Sequence, residues 1–220
     1  MRGSPYPMAQ VFTPGGVLLL KLALLGALGA LVVGSVVAYQ HLQGPDSLAE
    51  TPRQPIPFSH KHHVGDDGID CRYCHDSVEQ ASFAGIPATQ VCMTCHSQLF
   101  TDAPMLQPLR DSAATGKPLH WIRVHDLPDF VYFDHAIHVR KGVGCVECHG
   151  RVDRMPLVRR VAPLQMQWCL ACHRDPEPHL RPPRFEFDMR PTSEIRALAG
   201  IPKTPLVSRR RLTDCSTCHR

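Results

Sequence analysis

The apolar positions of this chain gather in one block near its amino terminus. From Val17 to Tyr39, 23 residues pass with a single charge, Lys21. At about 1.5 Å of rise per residue, a helix of that length crosses a hydrocarbon core of roughly 30 Å. The pattern predicts a transmembrane α-helix over 17–39, with Lys21 near enough to one end for its amine to reach the headgroups. After Tyr39 the pattern changes. Apolar and polar residues follow one another without a sustained helical or strand period, and most of the 21 prolines fall here. Proline interrupts regular ladders and favours turns, so short helices joined by irregular connections are expected.

Charge sets the direction of the helix. Before the apolar block the only charge is Arg2, and after it come Asp46 and Glu50. A basic flank stays on the cytoplasmic side, which makes 1–16 a cytoplasmic amino terminus and places everything after the helix on the outer, periplasmic face of the inner membrane. Val36-Val37-Ala38 resembles the small-residue cleavage site of a secretory signal, but the apolar run is longer than a signal's core. A retained single-pass anchor is the reading adopted. Residues 40–57 then form a linker, and 58–220 the outer domain.

The chemistry lies in the cysteines. All ten belong to five copies of C-x-x-C-H: Cys71–His75 (motif 1), Cys92–His96 (motif 2), Cys145–His149 (motif 3), Cys169–His173 (motif 4) and Cys215–His219 (motif 5). Chance placement gives about 0.03 such pentapeptides in a chain of this composition. In c-type haem attachment the two thiols bond to the two vinyl groups of the porphyrin, and the following histidine ligates the iron. The covalent positions are therefore Cys71, Cys74, Cys92, Cys95, Cys145, Cys148, Cys169, Cys172, Cys215 and Cys218. The proximal ligands are His75, His96, His149, His173 and His219. Structural zinc pairs its C-x-x-C units, and five units leave one unpaired. A disulfide framework has no use for the trailing histidine. With every cysteine committed, none remains for lipidation, so the helix is the evident tether.

An internal repeat surrounds the motifs. Phe58-Ser-His60-Lys-His62-His63-Val64 precedes motifs 1 and 2, and Phe133-Asp-His135-Ala-Ile-His138-Val139 precedes motifs 3 and 4. The domain thus divides into a dihaem repeat over 58–96, a second over 133–173, and a carboxyl-terminal segment over 174–220 with the fifth site. His60, His63, His135 and His138 recur at matched places and are the expected distal ligands. His62 faces Ile137 in the alignment and is a bystander. For the fifth distal position His125 is the histidine candidate, with His120 and His179 behind it. Met155 and Met166 are thioether alternatives, which would raise the potential of that iron.

The formal charge of +4 changes once haems are counted. Without Arg2 and Lys21 the outer domain holds 22 basic and 20 acidic residues, a net of +2, and ten propionates would carry it toward about −8 if all were ionised and unpaired. Arg159, Arg160, Arg181 and Arg184 are candidate propionate partners. No basic stripe with interleaved aromatics appears, which argues against nucleic acid. About 180 residues around five haems bury little peptide core of their own, so the expected fold is mostly irregular, with short α-helices wrapped around the porphyrins.

The F-x-H-x-x-H element resembles the class III multihaem cytochromes. That resemblance implies that His60 serves the motif 1 haem, His63 the motif 2 haem, His135 the motif 3 haem and His138 the motif 4 haem. Larger strings resemble the membrane-anchored pentahaem cytochrome subunit of bacterial alternative complex III: Arg123–Phe133, Phe133–Val139, Cys145–Val152 with Met155 and Val158, and Leu164–Arg174. This second resemblance implies an electron-transfer subunit in a quinol-oxidising respiratory or photosynthetic complex. Its expected partners are an iron–sulfur protein, polytopic quinol-binding membrane subunits and a monohaem cytochrome c acceptor. No catalytic constellation is visible in the chain, so relay rather than chemistry is expected, with quinol oxidised in the partner subunits. The alternative of another class is a membrane-anchored multihaem quinol dehydrogenase, similar to the tetrahaem family that feeds nitrite or nitrate reductases. Five motifs and a doubled F-x-H-x-x-H element weigh against it.

Overall fold

The computed structural model describes residues 13–43, 51–200 and 212–219. It divides into two units, Met1–Asp46 and Ser47–Arg220. In the first, helix α1 runs from Pro14 to Gln43. Proline opens the first turn, where its missing N–H costs nothing, and the helix extends beyond both ends of the expected 17–39 span. Most of its described leucines and valines lie exposed, and it is long and apolar enough to cross a membrane. The flanking charges Arg2, Asp46 and Glu50 lie outside the described residues.

The second unit contains no strand among its described residues, only an isolated antiparallel bridge between Val143 and Leu180. Its helices are short: α2 (Cys71–Cys74), α3 (Thr89–His96), α4 (Gln107–Thr115), α5 (His135–Arg140), α6 (Val146–His149), α7 (Met166–Arg174), α8 (Thr192–Leu198) and α9 (Cys215–Cys218). A single π-helical turn covers Lys61–Asp66. Local chemistry sets several of the boundaries. Asp70 caps α2 by accepting the Arg72 amide at 2.8 Å, and Asp134 caps α5 by accepting that of Ile137 at 3.2 Å. Gly116 ends α4 in the left-handed region, at φ 70°.

The two repeats hold each other. Lys61 N–H donates to the Met155 carbonyl at 3.0 Å, and Ala136 N–H donates to the Ala81 carbonyl at 3.2 Å. Lys61 and Ala136 each follow the first histidine of their F-x-H-x-x-H element. Met155 and Ala81 each lie six residues past a motif histidine. The bonds are therefore equivalent and reciprocal, a two-fold-like clasp. Gly65 tightens one side of it, because a Cβ there would collide with the Asp153 carbonyl.

Arg181, which is 5% exposed, joins the carboxyl-terminal segment to the second repeat by donating its backbone N–H to the Gly142 carbonyl at 2.8 Å. Its guanidinium donates to Thr192 Oγ1 at 2.7 Å, to the Phe185 carbonyl at 2.9 Å, to the Arg190 carbonyl at 2.6 Å and to the Asp188 carbonyl. This overturns the expectation that Arg181 serves a propionate, since four of its five N–H groups are spent on protein. A buried guanidinium needs such saturation to offset its lost hydration.

Apolar burial is sparse. Among the described residues only Ile56, Val78, Leu109, Ala136, Val139, Met155, Ala162, Met189 and Ile195 form the buried apolar set. The polypeptide does not close a core of its own, as expected for a chain that wraps large apolar groups.

Candidate haem-binding site

Each motif begins or lies in a helical turn: α2, α3, α6, α7 and α9 carry motifs 1 to 5 in order, with Cys145 capping α6. A helical turn brings the two cysteines of C-x-x-C to one side and the histidine beneath them. All ten thiols are free of disulfides.

The structure brings the histidines together in pairs. His60 faces His75 with ring centres 6.5 Å apart and planes only 4° from parallel. His63 faces His96 at 6.2 Å, His135 faces His149 at 6.3 Å, and His138 faces His173 at 6.0 Å. An imidazole–metal bond is about 2 Å, and roughly 1.1 Å separates each ring centre from its Nε2, so two axial imidazoles on one metal stand about 6.2 Å apart. The four separations match that figure.

Orientation supports the same use. His75 Nδ1 hydrogen-bonds to the Gly85 carbonyl at 2.7 Å, His96 to Leu99 at 3.2 Å, His173 to Leu212 at 2.7 Å and His219 to Phe130 at 3.1 Å. On the distal side His63 Nδ1 pairs with the Ser59 carbonyl at 2.9 Å, His135 with Ser82 at 2.9 Å and His138 with Asp134 at 2.7 Å. A carbonyl only accepts, so each Nδ1 carries the proton and each Nε2 keeps its lone pair for a metal. Burial pushes the His60 imidazole down to about 4 and that of His149 to about 3, with neighbouring imidazoles adding to the effect. Both are neutral at physiological pH, the form that ligates.

The phenylalanine of each repeat fixes its two histidines. Phe58 meets His60 edge-on, at 4.9 Å and 89°, and stacks on His63, at 4.4 Å and 26°. Phe133 repeats this with His135 at 4.7 Å and 89°, and with His138 at 4.5 Å and 27°. His62 turns outward, half exposed, toward Asp66 and Asp67.

The candidates for the fifth distal position are scattered. His125 lies against His149, with Nδ1 atoms 3.3 Å apart and ring centres 4.3 Å apart. It sits where a carbonyl stands at the other four proximal rings, rather than across from His219. Met155 is buried beside Gly150, and Met166 opens α7 with 64% of its surface exposed. His179 Nδ1 pairs with the Glu147 carboxylate at 2.6 Å. His219 itself stacks on Phe130 at 5.9 Å.

A sequence profile described as cytochrome c7 and related cytochrome c matches residues 56–112 and 131–220. The chain belongs to this family of multihaem cytochromes. It is also similar to the multihaem cytochrome c subunit of menaquinone reductase from Nitratidesulfovibrio vulgaris (strain Hildenborough). The two are 32% identical over 197 residues, covering 88% of this chain and 81% of that protein. As a multihaem cytochrome, the chain supplies thiols and paired imidazoles in the geometry that c-type haem requires. Four buried side-chain atoms among the described residues of this unit have no hydrogen-bond partner, His60 Nδ1, His125 Nε2, Arg160 Nε and Glu177 Oε1, and of these Arg160 has the chemistry to receive a propionate.

Proposed function

We propose that this protein is an electron-transfer subunit that relays electrons through five c-type haems within a membrane quinone/quinol oxidoreductase complex. The observation that carries the reading is the set of four imidazole pairs at 6.0–6.5 Å, each joining an F-x-H-x-x-H histidine to a C-x-x-C-H histidine. His60, His63, His135 and His138 serve as distal ligands opposite His75, His96, His149 and His173. His219 is the proximal ligand of the fifth site.

When bound, the haems supply one-electron carriers whose potentials follow their axial ligands and surroundings. The protein's part is to hold those ligands. Carbonyls fix the tautomers of seven of these imidazoles, the phenylalanines fix the ring planes of the four F-x-H-x-x-H histidines, and at four of the sites an imidazole from each side would hold the iron. Such sites pass electrons and bind no small substrate, so quinone chemistry belongs to partner subunits. Helix α1 anchors the chain in the inner membrane, with the haem domain on the outer face.

The resemblance to the alternative complex III subunit favours electrons arriving from quinol and leaving to a cytochrome c. The similarity to a menaquinone reductase subunit favours the opposite direction, toward the quinone. The haem-binding architecture is the same for both.

Mass spectrometry of the purified chain, with the partners that co-purify in mild detergent, tests the proposal. The expected result is a mass increase of five haem groups, together with polytopic membrane and iron–sulfur proteins in the same complex. A colourless chain, or one that purifies without membrane partners and oxidises quinol by itself, would end it.

A further inference from the structure

We propose that the five haem-binding motifs form one unbranched row in the spatial order 2, 1, 3, 4, 5, which differs from their order along the chain. The inference rests on the five-haem relay reading, and four separate links carry it.

Motifs 1 and 2 are joined at their equivalent inner positions. Tyr73, the third residue of motif 1, hydrogen-bonds through its hydroxyl to Thr94 Oγ1, the third residue of motif 2, at 2.7 Å. One short segment also serves both sites, since His60 faces His75 and His63 faces His96.

Motifs 1 and 3 meet at the clasp between the repeats. The Cys71 and Cys145 side chains lie close to each other. His149 lies close enough to feel both His60 and His75 as well as its own partner His135. The reciprocal bonds Lys61 to Met155 and Ala136 to Ala81 bind each distal segment to the chain just past the other repeat's first motif. Because this clasp is two-fold-like, motifs 2 and 4 occupy equivalent places on opposite sides of the central pair.

Motifs 3 and 4 share α5, which sets His135 toward His149 and His138 toward His173. Their thiols Cys148 and Cys172 are within electrostatic reach of each other. Motifs 4 and 5 are linked through the carboxyl-terminal segment. His173 Nδ1 bonds to the Leu212 carbonyl at 2.7 Å, three residues before Cys215, and Cys169 lies in the field of Cys218. Motif 5 is also tied to the entrance of the second repeat, where Tyr132 N–H donates to the Cys218 carbonyl at 2.8 Å.

The row therefore ends at Cys92/Cys95 on one side and at Cys215/Cys218 on the other. An electron crossing the molecule passes the clasp at the junction of the repeats. Any donor and acceptor that use the whole relay address the two ends.

Nuclear Overhauser contacts between haem substituents, measured on the full holoprotein in detergent, read this order directly. Each porphyrin is identified by its contacts to its own two cysteines. The expected inter-haem contacts join sites 2 and 1, 1 and 3, 3 and 4, and 4 and 5. A direct contact between sites 2 and 4, 2 and 5, or 1 and 5, or the lack of any contact between sites 1 and 3, overturns the order while leaving the relay intact. Fewer than five haem masses on the same sample overturns the relay and the order together.

Discussion

At the scale of single residues, the sequence separates ligands from bystanders only where spacing carries the information. His62 and His63 are adjacent, yet the repeat aligns His63 with His138 and leaves His62 against Ile137. The structure stacks His63 on Phe58 and turns His62 to the acidic pair Asp66 and Asp67. Replacing His63 with Ala should convert one low-spin haem to high-spin, seen by electron paramagnetic resonance, while His62→Ala leaves the spectrum unchanged. The acceptors at Nδ1 were not legible, because a backbone carbonyl at Gly85, Leu99 or Leu212 is independent of residue type. His125 reads in the sequence as the histidine candidate for the fifth distal position, whereas the structure sets it at the Nδ1 of His149. His125→Ala should therefore shift the midpoint potential of one haem without creating a high-spin signal, since the outer partner tunes a ligand that remains bound. A new high-spin haem in that variant would make His125 an axial ligand.

At the scale of elements, the chain's short helices and lack of long periodic segments were readable from proline frequency and motif spacing. The clasp between the repeats was not. It depends on backbone bonds between residues about 55 to 94 positions apart, such as Ala136 to Ala81 and Lys61 to Met155, and no side-chain pattern encodes them. Arg181 is a related case. In sequence it looks like any surface arginine near a haem motif, but its fork is closed by Thr192 and three carbonyls. The clasp makes a specific claim about Gly65, which lies so close to Asp153 that no side chain fits. Gly65→Ala should cost about 1–3 kcal/mol through overpacking, measured as an earlier thermal transition of the holoprotein. Gly68→Ala has open space around its Cβ but a positive φ of 70°, so it should cost only about 1 kcal/mol through backbone strain. Equal effects of the two would mean that the close approach at Asp153 contributes nothing.

At the scale of the whole molecule, the division of labour follows from what each unit offers. The unit of residues 47–220 presents paired imidazoles and thiols, and its sparse apolar core would be completed by the groups those residues hold. The described part of the first unit is helix α1, with small residues at Gly26, Ala27, Gly29, Ala30 and Gly34. A quinone pocket is concave and lined by several elements, which one helix cannot supply. Small residues instead allow a second helix to approach closely, and a Cβ added at Gly26, Gly29 or Gly34 meets no atom of the described residues of its own unit within 4 Å. The purified chain alone should thus be reduced by dithionite yet exchange electrons with quinol or quinone only negligibly. Exchange should appear when the proposed polytopic partners are present. Gly29→Leu or Gly34→Leu should lower the amount of partner retained in mild detergent while leaving the haem spectrum unchanged, because the substitution lies on α1 and not at a haem ligand. Rapid quinol oxidation by the isolated chain would instead place the quinone site on this polypeptide and support the dehydrogenase alternative.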